Sequence, residues 1–442
     1  MISPMCMPRL MLMIGLICQA LYPSLAVANA GELIEKAVQL IEDDRYSLAR
    51  SYLAPALIDP RLPSDQRSRA YYLRGFSFAA QDLPVSALRD FNRALEFNPA
   101  NPAVLFALAR LYWDGRGADQ DEALALSLFA QADELGHSDA ALFLALGHLH
   151  GRGAPKDITL GENLLTALAD AGDASAMEHL AGHIRAQQTQ PKRAAAWYRK
   201  AFAAGNSNAL VALAYMHLRG ELQGQDALAT ANRLLQEAAL AGSSAAMTRL
   251  AHHHMSGTGL PLDYAKALSW FLRASALGDA NADVGLGYLV DAELVDDSEL
   301  QPAEYWYRRA AMANSVEGQL RWARWLLANG EIRQATTWFA AAANQNHAQG
   351  HNDLAWLLAT QRNAALRNGS RALSHARLAV QAEASVGHLD TLAAALAETG
   401  QFEQAVATQQ RAIEAVASDN PRLETELQQR LDHYRRQQPW RE

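Results

Sequence analysis

Apolar residues along this chain recur at helical rather than strand spacing. One kind of run carries Leu-Ala or Leu-Gly followed three residues later by a bulky side chain, as in Leu108, Ala109 and Tyr112. A second kind carries Ala ahead of a bulky pair, as in Ala267, Trp270 and Phe271. Each keeps one face apolar at a period near 3.6, the mark of an amphipathic helix. The two kinds alternate across glycine turns at Gly115–Gly117, Gly151–Gly153, Gly220 and Gly257–Gly259.

The alternation itself repeats. Gly136, Gly172, Gly205, Gly242, Gly278, Asn314 and Asn346 follow one another at spacings of 36, 33, 37, 36, 36 and 32 residues. A bulky pair ends seven residues before each: Leu128-Phe129, Leu164-Leu165, Trp197-Tyr198, Leu234-Leu235, Trp270-Phe271, Trp306-Tyr307 and Trp338-Phe339. An offset that never varies across seven units is an internal repeat. The second helix of each unit should stop at the Gly or Asn, since both tolerate a left-handed C-cap. Small Ala and Gly positions let helices approach, and the bulky pairs fill the space between neighbouring units.

These residues resemble the Sel-one-like repeat, a longer-looped relative of the tetratricopeptide repeat, over seven units spanning residues 102–347. The third unit departs from the pattern, with Gln187 to Pro191 in place of a glycine turn, and the sixth carries an acidic loop from Ala292 to Gln301. The flanks resemble ordinary tetratricopeptide units: Tyr71, Gly75, Phe78, Ala87, Phe91, Ala94 and Pro99 before the array, and Leu389, Leu392, Ala393, Leu396, Gly400, Phe402, Ala405 and Ala412 after it. The resemblance implies an all-α fold, an α-solenoid of stacked antiparallel helix pairs forming a superhelix. The expected organisation is a signal peptide at 1–30, tetratricopeptide-like units at 31–101, seven Sel-one-like repeats at 102–347, further tetratricopeptide-like units at 348–418, and a capping helix and tail at 419–442. Residues 31–58 should supply the first, degenerate pair. The last helix should take Asn420 as N-cap and Pro421 at its first position. Its Leu423, Leu427, Leu431 and Tyr434 form an apolar stripe with Arg430, Arg435 and Arg436 outside it, as a solenoid cap requires.

A chain of 442 residues would suggest about three compact domains. The repeat replaces that count with about 11 units of 36 residues, near 22 helices. It also accounts for alanine at roughly one residue in five, well above ordinary usage.

The first 30 residues have another character. Arg9 is their only charge, an apolar run extends from Leu10 to Tyr22, and Ala28-Asn29-Ala30 is a small-x-small cleavage pattern. This reads as a secretory signal peptide, with the product periplasmic or secreted after cleavage near Ala30. A lipoprotein anchor at Cys18 is disfavoured, because Ile17 stands where a small residue is needed. Removing the segment leaves 38 Lys+Arg against 47 Asp+Glu, so the net charge moves from −8 to −9. It also takes away Cys6 and Cys18, leaving neither thiol nor disulfide chemistry. A mildly acidic chain has no general electrostatic reason to bind nucleic acid, and the remainder holds no stretch able to cross a bilayer.

Motifs for zinc proteases, nucleotide phosphates, serine hydrolases and calcium loops are missing. The chain therefore reads as non-enzymatic, with no cofactor and no metal. His252, His253 and His254 point about 100° apart on a helix and cannot share one ion. The paired aromatics read as core, and the basic residues behind them, Arg199-Lys200 and Arg308-Arg309, as a solvated face. The positions left free by the repeat are more informative. The tetratricopeptide-like geometry turns the residue after Leu-Ala/Gly toward the concave groove, which places Arg110, Leu146, Gly182, Tyr215, His252, Tyr288, Arg324 and Trp356 there, with Trp113 three residues beyond Arg110. Arg110, Trp113, Tyr215, His252, Tyr288, Arg324 and Trp356 are the candidate partner-binding residues, since aromatics and arginines anchor interfaces. The expected function is an exported scaffold presenting this groove to a peptide or protein of the cell envelope, in exopolysaccharide secretion or envelope signalling. The alternative is a glycan- or peptidoglycan-binding module whose groove aromatics stack on sugar faces.

Overall fold

The computed structural model describes residues 29–222, 224, 226–296, 300–416 and 420–442. The expected signal peptide lies outside them apart from Asn29 and Ala30. The described residues form 23 α-helices and no β-strand. They divide into two compact units, residues 29–206 and 207–442.

The first unit holds α1 Ala30–Glu42, α2 Tyr46–Ile58, α3 Ser64–Ala80, α4 Pro84–Phe97, α5 Pro102–Asp114, α6 Glu122–Glu134, α7 Ala140–His150, α8 Ile158–Asp170, α9 Ala174–Ala186 and α10 Pro191–Ala203. The second holds α11 Ala209–Leu218, α12 Ala227–Leu240, α13 Ser244–Ser256, α14 Tyr264–Ala276, α15 Ala280–Asp291, α16 Ala303–Met312 and α17 Val316–Ala328. It continues with α18 Ile332–Asn344, α19 Ala348–Thr360, α20 Gly369–Ala382, α21 Val386–Glu398, α22 Phe402–Glu414 and α23 Pro421–Arg435. Within each unit, consecutive helices pack as pairs and successive pairs stack. In the second unit the first helices of neighbouring pairs also touch, α13 with α15, α15 with α17 and α19 with α21.

The repeat register explains the turns. Gly136, Gly172, Gly205, Gly242, Gly278, Asn314 and Asn346 all have positive φ, between 56° and 101°. A Cβ added at Gly172 or Gly205 would meet nothing within 4 Å. Backbone conformation, not crowding, selects glycine there, which is why Asn can replace it twice. The two odd loops solve the same problem with other residues: Gln188 and Glu293 take the left-handed position. Helix starts are capped by side chains, for example Asp173 on Ser175 and Ala176, and Asn420 on Leu423 with Pro421 at the first position.

The second member of each bulky pair is buried, with Phe129 and Phe271 wholly enclosed. Burying such a side chain is worth about 1.5–3 kcal/mol, and the gain recurs along the stack. Three sequence expectations need correction. Trp113 does not reach the groove: it is buried against Phe129 and Phe143, and the Arg152 guanidinium covers it at 3.9 Å. Arg430 is not outside the stripe of α23 but nearly enclosed, paired with Asp390 at 2.9 Å. Arg309 is only partly solvated, since it reaches back to bond Asp283 and Ser275. Lys200, by contrast, is exposed and lies 3.9 Å over the Trp197 ring.

Candidate partner-binding groove

Three residues of the expected column meet in one place. Tyr215 on α11, His252 on α13 and Tyr288 on α15 line a cavity of about 690 Å³ in the second unit. Each sits on a first helix at the same repeat offset, so stacking brings them side by side. Around them the cavity carries both signs of charge. Arg249 hydrogen-bonds the Tyr215 hydroxyl and lies 5.0 Å over its ring. Arg321 pairs with Glu317 at 2.8 Å. Asp279 accepts from Thr248 Oγ1 at 2.8 Å while its other oxygen caps α15 through the Asn281 amide.

His252 packs edge-on against Phe271 with ring centroids 5.1 Å apart. Burial lowers its pKa, and the nearby Arg249 charge lowers it further. It therefore lines the cavity as a neutral imidazole near pH 7. His253 is buried with Nδ1 2.5 Å from Asn232 Oδ1, and His254 has Nδ1 3.2 Å from the Pro261 carbonyl. The three histidines thus face three different surroundings. Among the described residues no group of three His, Cys, Asp or Glu is placed to hold a metal ion.

Further along the second unit, Arg324 reaches across to Asp353 at 2.7 Å. Both line a second cavity of about 370 Å³ together with Trp356. Trp356 donates its indole N–H to Glu442 Oε2 at 2.8 Å, so this end of the column is met by the chain's own residues. In the first unit Arg110 pairs with Asp114 at 3.7 Å and lies over Phe143, while Leu146 and Gly182 line a cavity of about 340 Å³ beside His150, His179 and His183. Sequence reasoning missed Arg249, Arg321 and Asp353. The signal was present, since each stands three residues before a column member and shares its helix face.

This arrangement of stacked helix pairs defines an α-solenoid of the tetratricopeptide type. The Sel1 repeat family model matches residues 102–137, 138–173, 175–206, 207–243, 244–279, 285–315 and 316–347. The chain belongs to the Sel1 repeat family, whose fold is typical of protein–protein interaction scaffolds. No curated protein matches it. Among solved structures it is similar to c5321, a protective antigen present in uropathogenic Escherichia coli strains displaying an SLR fold. That match has 19% identity, 95% of this chain and 92% of that one covered, and a TM-score of 0.49. A Sel1 repeat protein from Oxalobacter formigenes shares 25% identity over 54% of this chain and 98% of its own, with a TM-score of 0.40. Yeast Tom70 shares 15% identity over 92% and 96%, with a TM-score of 0.38. No helix among the described residues is long and apolar enough to cross a membrane.

Proposed function

We propose that this protein is a non-enzymatic scaffold of the cell envelope that holds a polypeptide partner in the groove of its second unit. The carrying observation is the juxtaposition of Tyr215, His252 and Tyr288 from three successive repeats around one open cavity. Arg249, Arg321, Asp279 and Glu317 surround them. Aromatic faces with paired charges of both signs suit a peptide, which brings apolar side chains, donors and acceptors together. A glycan site would use several free aromatic faces, but Trp113 is buried and Trp356 is engaged by Glu442. Export rests on the residues of the N-terminal segment: Arg9, the apolar run and Ala28-Asn29-Ala30. Roles in exopolysaccharide secretion or envelope signalling fit such a scaffold.

The test replaces Tyr288 and Arg321, which both line this cavity, by alanine together. Both are partly solvent-exposed, so the fold should survive. Cross-linked pull-down from envelope extracts should show a partner held by the parent chain and lost from the variant. Equal recovery from both would overturn the groove reading, and co-sedimentation with purified peptidoglycan would favour the glycan alternative. N-terminal sequencing of the protein recovered from the periplasm tests export: a start near Gly31 is expected.

A further inference from the structure

The second cavity adjoins a segment that has left the repeat pattern. Beyond α23 the chain turns at Gln437, a left-handed residue, and residues 439–442 run back onto α19 and α21. The Glu442 amide donates to the Thr360 carbonyl at 2.9 Å, and the Arg362 amide donates to the Glu442 carbonyl at 3.1 Å. Arg441 donates to the Ala359 carbonyl at 3.2 Å. Two of these bonds occupy carbonyls at the C-terminus of α19, those of Ala359 and Thr360, which that helix cannot satisfy itself and where a cation is favoured.

Side chains then fix the register. The Trp440 indole joins the core beneath α23 and meets His433 edge-on at 5.1 Å. The Arg430 guanidinium lies between two indoles, 5.1 Å from the Trp356 ring and 5.5 Å from that of Trp440. Arg441 pairs with Glu398 at 2.5 Å, and the Glu442 carboxylate accepts from the Trp356 indole. An indole, a guanidinium and a carboxylate on successive or near-successive residues are each received by a matching group. Extended backbone pairing combined with side-chain pockets is how peptides are recognised by folded domains.

The fit also leaves something unmet. The Trp440 Nε1 and Arg430 Nε atoms are buried without a hydrogen-bond partner among the described residues. Beside Glu442 the cavity of about 370 Å³ stays open, lined by Arg324, Asn352, Asp353 and Asp390. A longer ligand of the same kind would find more surface there than residues 439–442 use.

We propose that the seat formed by α19, α21 and α23 is a peptide-binding site whose built-in occupant is Pro439–Glu442. Its partner is an extended segment presenting an aromatic, a basic and an acidic side chain in that order. This site is separate from the 690 Å³ cavity, and its failure would leave the reading of that cavity intact. Being tethered, the occupant acts at an effective concentration of order millimolar, so a free peptide competes poorly until the tether is loosened.

The test uses a fluorescein-labelled peptide of residues 436–442, followed by fluorescence anisotropy. A chain ending at Gln437 should bind it saturably, and the full chain at least tenfold more weakly. Trp440→Ala in the peptide should abolish binding. Trp356→Phe in the shortened chain, which removes the indole donor, should weaken it severalfold. If the shortened chain does not fold, full-length Arg441→Ala/Glu442→Ala decides, since it removes both polar anchors of the segment and lets the peptide's Trp440 displace the chain's own. Saturable binding to that variant supports the proposal. A folded shortened chain that does not bind, or an unresponsive double variant where the shortened chain fails to fold, overturns it.

Discussion

Arg309→Met should destabilise the second unit by removing one arm of a three-helix bridge. Asp283 on α15 is buried and accepts from Ser275 Oγ at 2.7 Å and from Arg309 Nε at 2.9 Å. Arg309 on α16 also donates to the Ser275 carbonyl on α14 at 2.8 Å. Taking away one member of a fully buried pair costs about 3–5 kcal/mol. Arg309 keeps 37% of its side-chain surface in solvent, so water already screens it and about 2 kcal/mol is the better figure. Asp283→Asn with Arg309→Met should cost less than the separate losses combined, with a coupling of about 1–2 kcal/mol. Burial raises the Asp283 pKa even with Arg309 and Ser275 opposing it. A raised carboxyl holds its proton more tightly in the folded chain. Its contribution is therefore full below the unfolded pKa and lost as pH rises through the folded one. Without Arg309 the pKa climbs further, so the variant's deficit should grow from about pH 4.5 to about pH 7. Urea melts by circular dichroism at both pH values, with hydrogen exchange across α14–α16, measure this. A deficit that is the same at both pH values, or no coupling with Asp283→Asn, would refute the reasoning.

Other substitutions probe the repeat itself. Gly205→Ala should cost about 1–2 kcal/mol through its φ of 101° alone, while Gly205→Asn recovers much of the loss; equal urea midpoints for the two would contradict this. Gly285→Ala places a Cβ 2.4 Å from the enclosed Phe271 ring, an overpacking of about 1–3 kcal/mol, and Phe271→Leu in the same chain should restore part of the melting temperature. His351 and His375 face each other with Nδ1 atoms 3.0 Å apart, and burial lowers both pKa values. Depressed histidines lose stability as pH falls below the ordinary value, so the parent chain should melt earlier on going from pH 7 to 5 and His375→Gln should blunt the fall; an unchanged slope would rule the pair out as its source.

Most of the fold was legible because one constraint recurs. Whatever packs between neighbouring helix pairs must do so at each unit, so Phe129, Phe271 and Phe339 announce themselves by register. The solvent-facing column was legible as the complement of that constraint, and Tyr215, His252 and Tyr288 share a cavity as repeat geometry requires. Trp113 misled because offset describes direction, not reach. An indole is large enough to be drawn between Phe129 and Phe143, and Arg152 from the following turn then seals it. Arg309 misled in the opposite sense, since its long side chain bends back to Asp283 on the other helix of its own pair and to Ser275 in the pair before.

The contacts that stayed hidden share a property that repeat reasoning cannot capture. In the array, residues that touch across units lie about one repeat apart: 34 for Arg309 and Ser275, 34 for Arg249 and Tyr215, and 39 for Arg152 and Trp113. A periodic pattern reports separations of that order and no others. Trp356 and Glu442 are 86 residues apart, and Arg441 and Ala359 are 82. Such contacts form only where the chain escapes the period, and the sequence marks the escape with Pro439 and Trp440 in an otherwise polar stretch after α23. A lone indole there has no apolar neighbours in sequence to bury it, so it must find a surface elsewhere. The surface it finds is the groove end that the repeat leaves open, which is why chemistry particular to this chain gathers where the shared pattern stops.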